Sequence, residues 1–174
     1  MIELAAAYYR GRKQLRTIHR LVNPGISIPS VASAMHHLVN QNVRHAMEWY
    51  VAEANLQDFA GDAVIVTHHD AFERSFIPSL FNDRWICTYR LARHLWPSAP
   101  KHALQVLRYE LKLNVRVEHP HRAEGDVTVT TALLFRALDE YRRRGLPWGI
   151  EEVICFAKRP LPAKHPVLRL VSSA

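Results

Sequence analysis

The clearest pattern in the chain is a helical repeat of hydrophobic positions between residues 127 and 138. Such a repeat is typical of an amphipathic helix that packs one face against a core. The apolar face consists of Val129, Ala132, Leu133, Phe135, Ala137 and Leu138. The predicted helix begins at Asp126 and ends near Gly145, with His121 in the preceding loop. Asp126 therefore lies in the first turn, where the helix dipole favours a negative charge.

Alternating and β-branched runs predict the strands. Residues 2–9 and 15–22 flank the turn Gly11-Arg12-Lys13 and indicate a β-hairpin, while the runs 63–67 and 85–88 indicate short buried strands. Further helices are predicted at 31–38, 42–59, 71–80, 89–96, 102–113 and 151–158. Strands that come first and then alternate with helices are typical of an α/β domain with a mixed β-sheet flanked by helices.

The length favours one domain followed by a short tail. A chain of 174 residues is long enough to form one substantial core. We place this domain at residues 1–146. Residues 147–174 are predicted to add a short helix and a basic, proline-containing tail that is loosely held.

The charge of the chain favours an anionic partner. A formal net charge of +7 predicts nucleic-acid binding, although a basic surface without a partner has the same composition. The run Arg142-Arg143-Arg144 is interpreted first as a solvated helix end and second as a nucleic-acid contact. No apolar stretch approaches the roughly 20 residues that span a membrane. Cys87 and Cys155 lie in apolar surroundings without CxxC spacing, which predicts buried free thiols and a reducing, cytoplasmic compartment.

Candidate catalytic groups gather after the strand predicted at 63–67. The residues that follow its carboxyl end are His68, His69, Asp70 and Glu73. The helix that opens at Asp126 can meet them there, because α/β sheets collect reactive groups at the carboxyl ends of strands. Carboxylates that hold two metal ions beside a proton-accepting histidine commonly hydrolyse phosphodiesters. Each residue also has a simpler interpretation: Asp126 as a helix cap, His121 as a surface histidine and Glu73 as an ordinary helix residue.

Several segments also match, in order, the motifs of one enzyme family. They are Ile2-Glu3-Leu4-Ala5-Ala6, residues 21–29, His36-His37-Leu38, residues 68–73, residues 85–97, and His121-Arg122-Ala123 followed by Asp126. The segment at 36–38 resembles an H-x-I element, and the segment at 68–73 resembles H-N-A-x-F-D. Over residues 1–141 the chain thus resembles the DEDDh 3′-to-5′ exonucleases, in particular their exodeoxyribonuclease X group.

The resemblance implies an RNase H-like fold, two Mg²⁺ or Mn²⁺ ions, and hydrolysis at nucleic-acid 3′ ends, with DNA as the expected substrate and nucleoside monophosphates as products. It implies that His121 is the general base and that Asp126 and Glu73 act as catalytic metal ligands. The residues that it places near nucleic acid are His36, Leu38, His68, Phe72 and Arg122. A homodimer is a further implication, since many members of the family pair.

Two departures from the family pattern predict impaired activity. The family's D-x-E motif, on its first strand, precedes the part that this chain matches, so we expect that strand to be missing and the hairpin and strand 63–67 to lack a common partner. An upstream start, a strand from another chain, or a decayed copy would each account for this. Glu73 replaces an aspartate, and its extra methylene moves the carboxylate by about 1.5 Å. The alternative function is a non-catalytic nucleic-acid-binding or accessory protein derived from the family.

Overall fold

A computed structural model describes residues 1–80, 83–118 and 121–162. The strands are β1 (Glu3–Arg10), β2 (Lys13–Asn23), β3 (Met47–Glu48), β4 (Ile65–Thr67) and β5 (Trp85–Cys87). The helices are α1 (Ser30–His36), α2 (Asn40–Val43), α3 (Trp49–Ala60), α4 (Asp70–Phe76), α5 (Thr88–Leu95), α6 (Leu104–Glu110), α7 (Ala123–Arg143) and α8 (Ile150–Lys158), with a 3₁₀ turn at Pro78–Leu80. The mixed α/β architecture predicted from the sequence is confirmed.

The strands form two separate ladders. β1 and β2 pair antiparallel from Glu3 opposite Leu21, through a turn in which Gly11 adopts φ +60°, a conformation that glycine reaches without strain. β3 extends this sheet parallel to β2, and β4 pairs parallel with β5 from Ile65 opposite Trp85. No ladder joins β1 to β4 within the described ranges. Within the described residues, the hairpin sheet and the β4–β5 pair therefore share no strand.

Three predicted helices are shorter than their hydrophobic patterns suggest or are interrupted. The helix predicted at 102–113 spans only Leu104–Glu110. The helix predicted at 42–59 is split into α2 and α3 because Met47 and Glu48 pair with the end of β2. The helix predicted at 71–80 ends at Phe76. Pro78 explains this end, because a proline disfavours the helical conformation of the residue before it. The 3₁₀ turn then continues to Leu80.

The long helix α7 joins the hairpin to the remaining helices. It packs against β1, α5 and α6. Its buried face includes Val129, Leu133, Ala137 and Tyr141. α8, which lies beyond the boundary predicted at residue 146, contributes Val153, Ile154, Phe156 and Ala157 to the cluster that contains Ala137 and Tyr141. Residues 163–174 of the predicted tail lie outside the described residues.

The two thiols differ in their environment. Cys87 is buried as predicted, but the prediction of a buried Cys155 is wrong, since its thiol is exposed. α8 turns Val153, Ile154 and Phe156 inward, which leaves position 155 on the outer face. Within the described ranges, none of the helices has the length and apolar character needed to cross a membrane.

Candidate active site

The predicted His–Asp motif spans the start of α7, with His121 in the preceding loop and Asp126 in the helix. The helix begins at Ala123, three residues before the predicted start, so Asp126 lies at the end of its first turn. Gln105 Nε2 of α6 donates a hydrogen bond to Asp126 Oδ1 at 2.9 Å. Burial raises the pKa of Asp126 above its ordinary value, although hydrogen bonding and the nearby charge of His121 oppose this shift. The result is a sheltered carboxyl group beside an imidazole.

A carboxylate from β1 fixes the start of this helix. Glu3 accepts hydrogen bonds from Arg122 Nε at 3.0 Å and Arg122 Nη2 at 2.6 Å, and from the backbone N–H of Ala123 at 3.0 Å. His19 Nε2 lies 2.8 Å from the same carboxylate. Burial alone would raise the pKa of Glu3, but these donors lower it from 4.5 to about 2. Glu3 is therefore ionised and held from three sides at neutral pH.

Glu73 lies in a different environment, in the first turn of α4. Its Oε2 atom is buried and has no hydrogen-bond partner among the described residues. Burial raises the pKa of Glu73, the charge of His69 lowers it, and the charge of Asp70 raises it further. A buried acceptor oxygen without a donor is costly when ionised. A bound cation would remove that cost.

The carboxylates of Asp126 and Glu73 are of the chemical type that binds a divalent cation. Mg²⁺ prefers oxygen ligands and is often held by one or two carboxylates together with substrate phosphates. Asp126 and Glu73 supply carboxylates, and the unpartnered Glu73 Oε2 is a free acceptor. However, the described residues contain no group of three or more His, Cys, Asp or Glu side chains that could hold a metal. The described part of the chain thus offers two predicted ligands and no preassembled metal cluster.

The residues expected to lie near nucleic acid differ in exposure. Phe72 is 62% exposed and packs edge-on against Phe76 with a centroid distance of 5.1 Å. Leu38 is only 4% exposed, and its backbone N–H donates to His36 Nδ1 at 3.1 Å. Phe72 therefore exposes a large apolar surface, whereas Leu38 exposes little.

His68 and Arg122 are engaged within the protein. His68 Nε2 donates to the carbonyl oxygen of His102 at 2.9 Å, and Nδ1 lies 3.0 Å from Thr88 Oγ1. Burial lowers the pKa of His68 from 6.5 to about 4, so its ring is neutral at pH 7. The guanidinium of Arg122 is occupied by Glu3. Contacts of these two side chains with nucleic acid stay predictions.

The roles of two contributors to the start of α7, Glu3 and Gln105, are not predicted by the sequence. Glu3 is the only acidic residue among the first 47. An isolated carboxylate within an apolar strand is itself a signal, because a half-buried charge needs a partner. Gln105 follows Leu104 and precedes Val106 and Leu107 on a predicted amphipathic helix, and no feature of its spacing points to Asp126.

The mixed α/β scaffold that carries these residues is an exonuclease domain with an RNase H-like fold. The exonuclease family model matches residues 1–134, and the chain belongs to this family of 3′–5′ exonucleases. It is 31% identical over 163 residues to exodeoxyribonuclease 10 of Escherichia coli (strain K12), covering 92% of this chain and 70% of that protein.

Two further relatives support the assignment. A DNA polymerase III subunit epsilon-like protein of Rhodobacter capsulatus is 29% identical, covering 72% of this chain but only 19% of the longer protein. The chain is also similar to the solved structure of exonuclease X in complex with 5′ overhanging duplex DNA. The two sequences are 28% identical, the match covers 90% of each chain, and the TM-score is 0.73. The predicted RNase H-like fold is therefore confirmed.

Proposed function

We propose that this protein engages DNA 3′ ends as a metal-dependent 3′–5′ exonuclease whose hydrolysis, which releases nucleoside monophosphates, is impaired in this chain. The observation that carries the proposal is the sheltered Asp126 carboxyl beside His121, at a helix start fixed by Glu3 and Arg122. The DNA bound to the related exonuclease X and the net charge of +7 support DNA as the substrate.

In this proposal Asp126 and Glu73 hold Mg²⁺ or Mn²⁺. A bound divalent ion supplies charge stabilisation at the phosphate and lowers the pKa of a bound water. His121 accepts the proton of the attacking water as general base. Phe72 lies against the terminal nucleotide, where aromatic side chains stack on bases. His36 and Leu38 complete the approach to the 3′ end.

The proposed impairment rests on the number and type of carboxylates. The described residues contain no cluster of three metal-holding side chains. Glu73 is also one methylene longer than the aspartate of the family motif, and Mg²⁺ tolerates little deviation from octahedral geometry. The same observation favours a second candidate function, a non-catalytic protein that binds nucleic acid.

The test combines binding and hydrolysis on one substrate. Single-stranded DNA labelled at its 5′ end is incubated with the 174-residue chain and Mn²⁺, and both retention and 3′ shortening are measured. We expect salt-dependent binding, with little or no shortening. Asp126→Asn should remove any residual shortening, whereas the control Asp139→Asn, at an exposed carboxylate of the same helix, should not.

Three other outcomes separate the candidates. Robust shortening that His121→Ala abolishes would contradict the impairment. Binding that is insensitive to Asp126→Asn and to Mn²⁺, without shortening, would favour the non-catalytic function. Neither binding nor shortening would overturn both. The homodimer and the cytoplasmic location belong to this proposal as predictions; light scattering of the purified chain tests the first, and imaging of a tagged protein tests the second.

A further inference from the structure

The loop before α7 has an unusual backbone at the residue with the proposed chemistry. His121 adopts φ +66°, in the left-handed region that side chains other than glycine rarely occupy. Such a conformation persists only where surrounding contacts determine it, and it is found often at functional sites. The side chain of the next residue, Arg122, donates hydrogen bonds to Glu3.

The hydrogen bonds at the start of α7 join residues that are far apart in the sequence. Arg122 is the N-cap residue of α7, and its side chain makes no cap hydrogen bond. Instead, the carboxylate of Glu3 accepts a hydrogen bond from the backbone N–H of Ala123, which lies 120 positions away in sequence. An anion at this place also complements the positive end of the helix dipole. Glu3 thus replaces a local cap with one supplied by the sheet.

The hydrogen bonds from Arg122 make this cap directional. Two nitrogen atoms of its planar guanidinium donate to the Glu3 carboxylate, whose side chain is 7% exposed. Planar, paired hydrogen bonding of this kind fixes orientation as well as distance. His121 is covalently joined to Arg122, whose side chain is fixed in orientation and distance, and Asp126 follows one helical turn later.

From this arrangement we infer that Glu3 is a positioning residue for His121, acting through Arg122 and the N–H of Ala123. This inference rests on the proposed function, in which His121 is the general base. Glu3 touches neither nucleic acid nor metal in it. Glu3 sets the backbone of residue 121 and the start of α7, so the imidazole and the Asp126 carboxyl keep one relative placement.

NMR of the metal-free, DNA-free chain tests this inference. In Glu3→Gln we expect the amide of Ala123 to exchange at least about 10-fold faster, and the backbone and ring signals of His121 to shift or broaden. The matched control is Glu124→Gln, which removes the same charge from the first turn of α7 at an exposed position. The control should change the Ala123 exchange rate less than about twofold.

A second variant distinguishes a local effect of the Glu3–Arg122 contact from a change of fold. Arg122→Lys keeps the charge but loses the paired donors, and it should move the same signals in the same direction. Unchanged His121 and Ala123 signals in a folded Glu3→Gln protein would overturn the inference. Loss of folding in both variants would also overturn it, because the contact would then be a determinant of global stability. Failure of the wild-type chain to bind Mn²⁺ or DNA would sink the proposed function alone, since the NMR comparison uses neither.

Discussion

The two predicted metal ligands lie in parts of the molecule that are supported very differently. Asp126 belongs to the 21-residue helix α7, which buries five side chains and whose start is fixed by Glu3. Glu73 belongs to α4, which has seven residues, none of them fully buried. The family resemblance matched both motifs, yet only one of them is placed by contacts with several other elements.

Electrostatics separates the same two regions. The donors around Glu3 lower its pKa to about 2, so the charge beside α7 is stabilised. Burial without a partner raises the pKa of Glu73, so the charge on α4 is destabilised. A structural carboxylate has its donors within the protein, whereas a carboxylate without a donor depends on a ligand to favour its ionised form. The second situation is common at functional sites.

The largest difference between α7 and α4 should be the loss of stability when one apolar side chain of each helix is truncated. Leu133 of α7 is fully buried, and Leu133→Ala should destabilise the protein by about 3 kcal/mol because it leaves a cavity. The matched change on α4, Phe72→Ala, removes a side chain that is mostly exposed and should cost less than about 0.5 kcal/mol. Urea unfolding of both variants measures this. Similar losses in the two would show that the helices are equally integrated.

Acid should act on the α7 region first. The pKa of Glu3 is about 2 in the folded protein and near 4.5 when unfolded, so its contribution is present above the unfolded value and is lost as the pH falls from about 5 to 2. We expect a loss of about 2 kcal/mol over this range. Unfolding free energies of wild type and Glu3→Gln across the range measure it. A variant with the same pH slope as wild type would exclude Glu3 as the source.

The pH dependence of the Glu73 contribution to stability should have the opposite sign to that of Glu3. Its raised pKa means that the folded state favours the protonated carboxyl, so its contribution to stability grows as the pH falls through the folded pKa. Glu73→Gln should therefore stabilise the metal-free protein at neutral pH, by less than about 1 kcal/mol. Thermal unfolding beside the exposed control Glu110→Gln measures the effect. A clear destabilisation would indicate that Glu73 has a protein partner.

The sequence predicted the elements that depend on local pattern. The hairpin, the apolar face of α7 and the short strands have strong hydrophobic patterns in the sequence, and the structure contains all of them. The split between α2 and α3 was missed because the pairing of Met47 with β2 is a long-range contact that no local pattern encodes. For the same reason the role of Glu3 at the start of α7 was missed, because Arg122 and Ala123 lie 119 and 120 residues away from it in sequence. The placement of His121 beside Asp126 was accessible because both belong to one short segment.

The smallest effect concerns the length of the second carboxylate. Glu73→Asp withdraws the oxygen that now lies buried without a partner, by about one C–C bond of 1.5 Å. Because no residue of α4 is fully buried, the substitution should change the free energy of unfolding by less than about 0.5 kcal/mol. If Glu73 is a metal ligand, the affinity for Mn²⁺ should nevertheless change by at least about threefold, since small octahedral ions tolerate little misplacement. Electron paramagnetic resonance of Mn²⁺ measures this, with Glu110→Asp as control. An unchanged affinity would remove Glu73 from the metal site and leave Asp126 as its only predicted ligand.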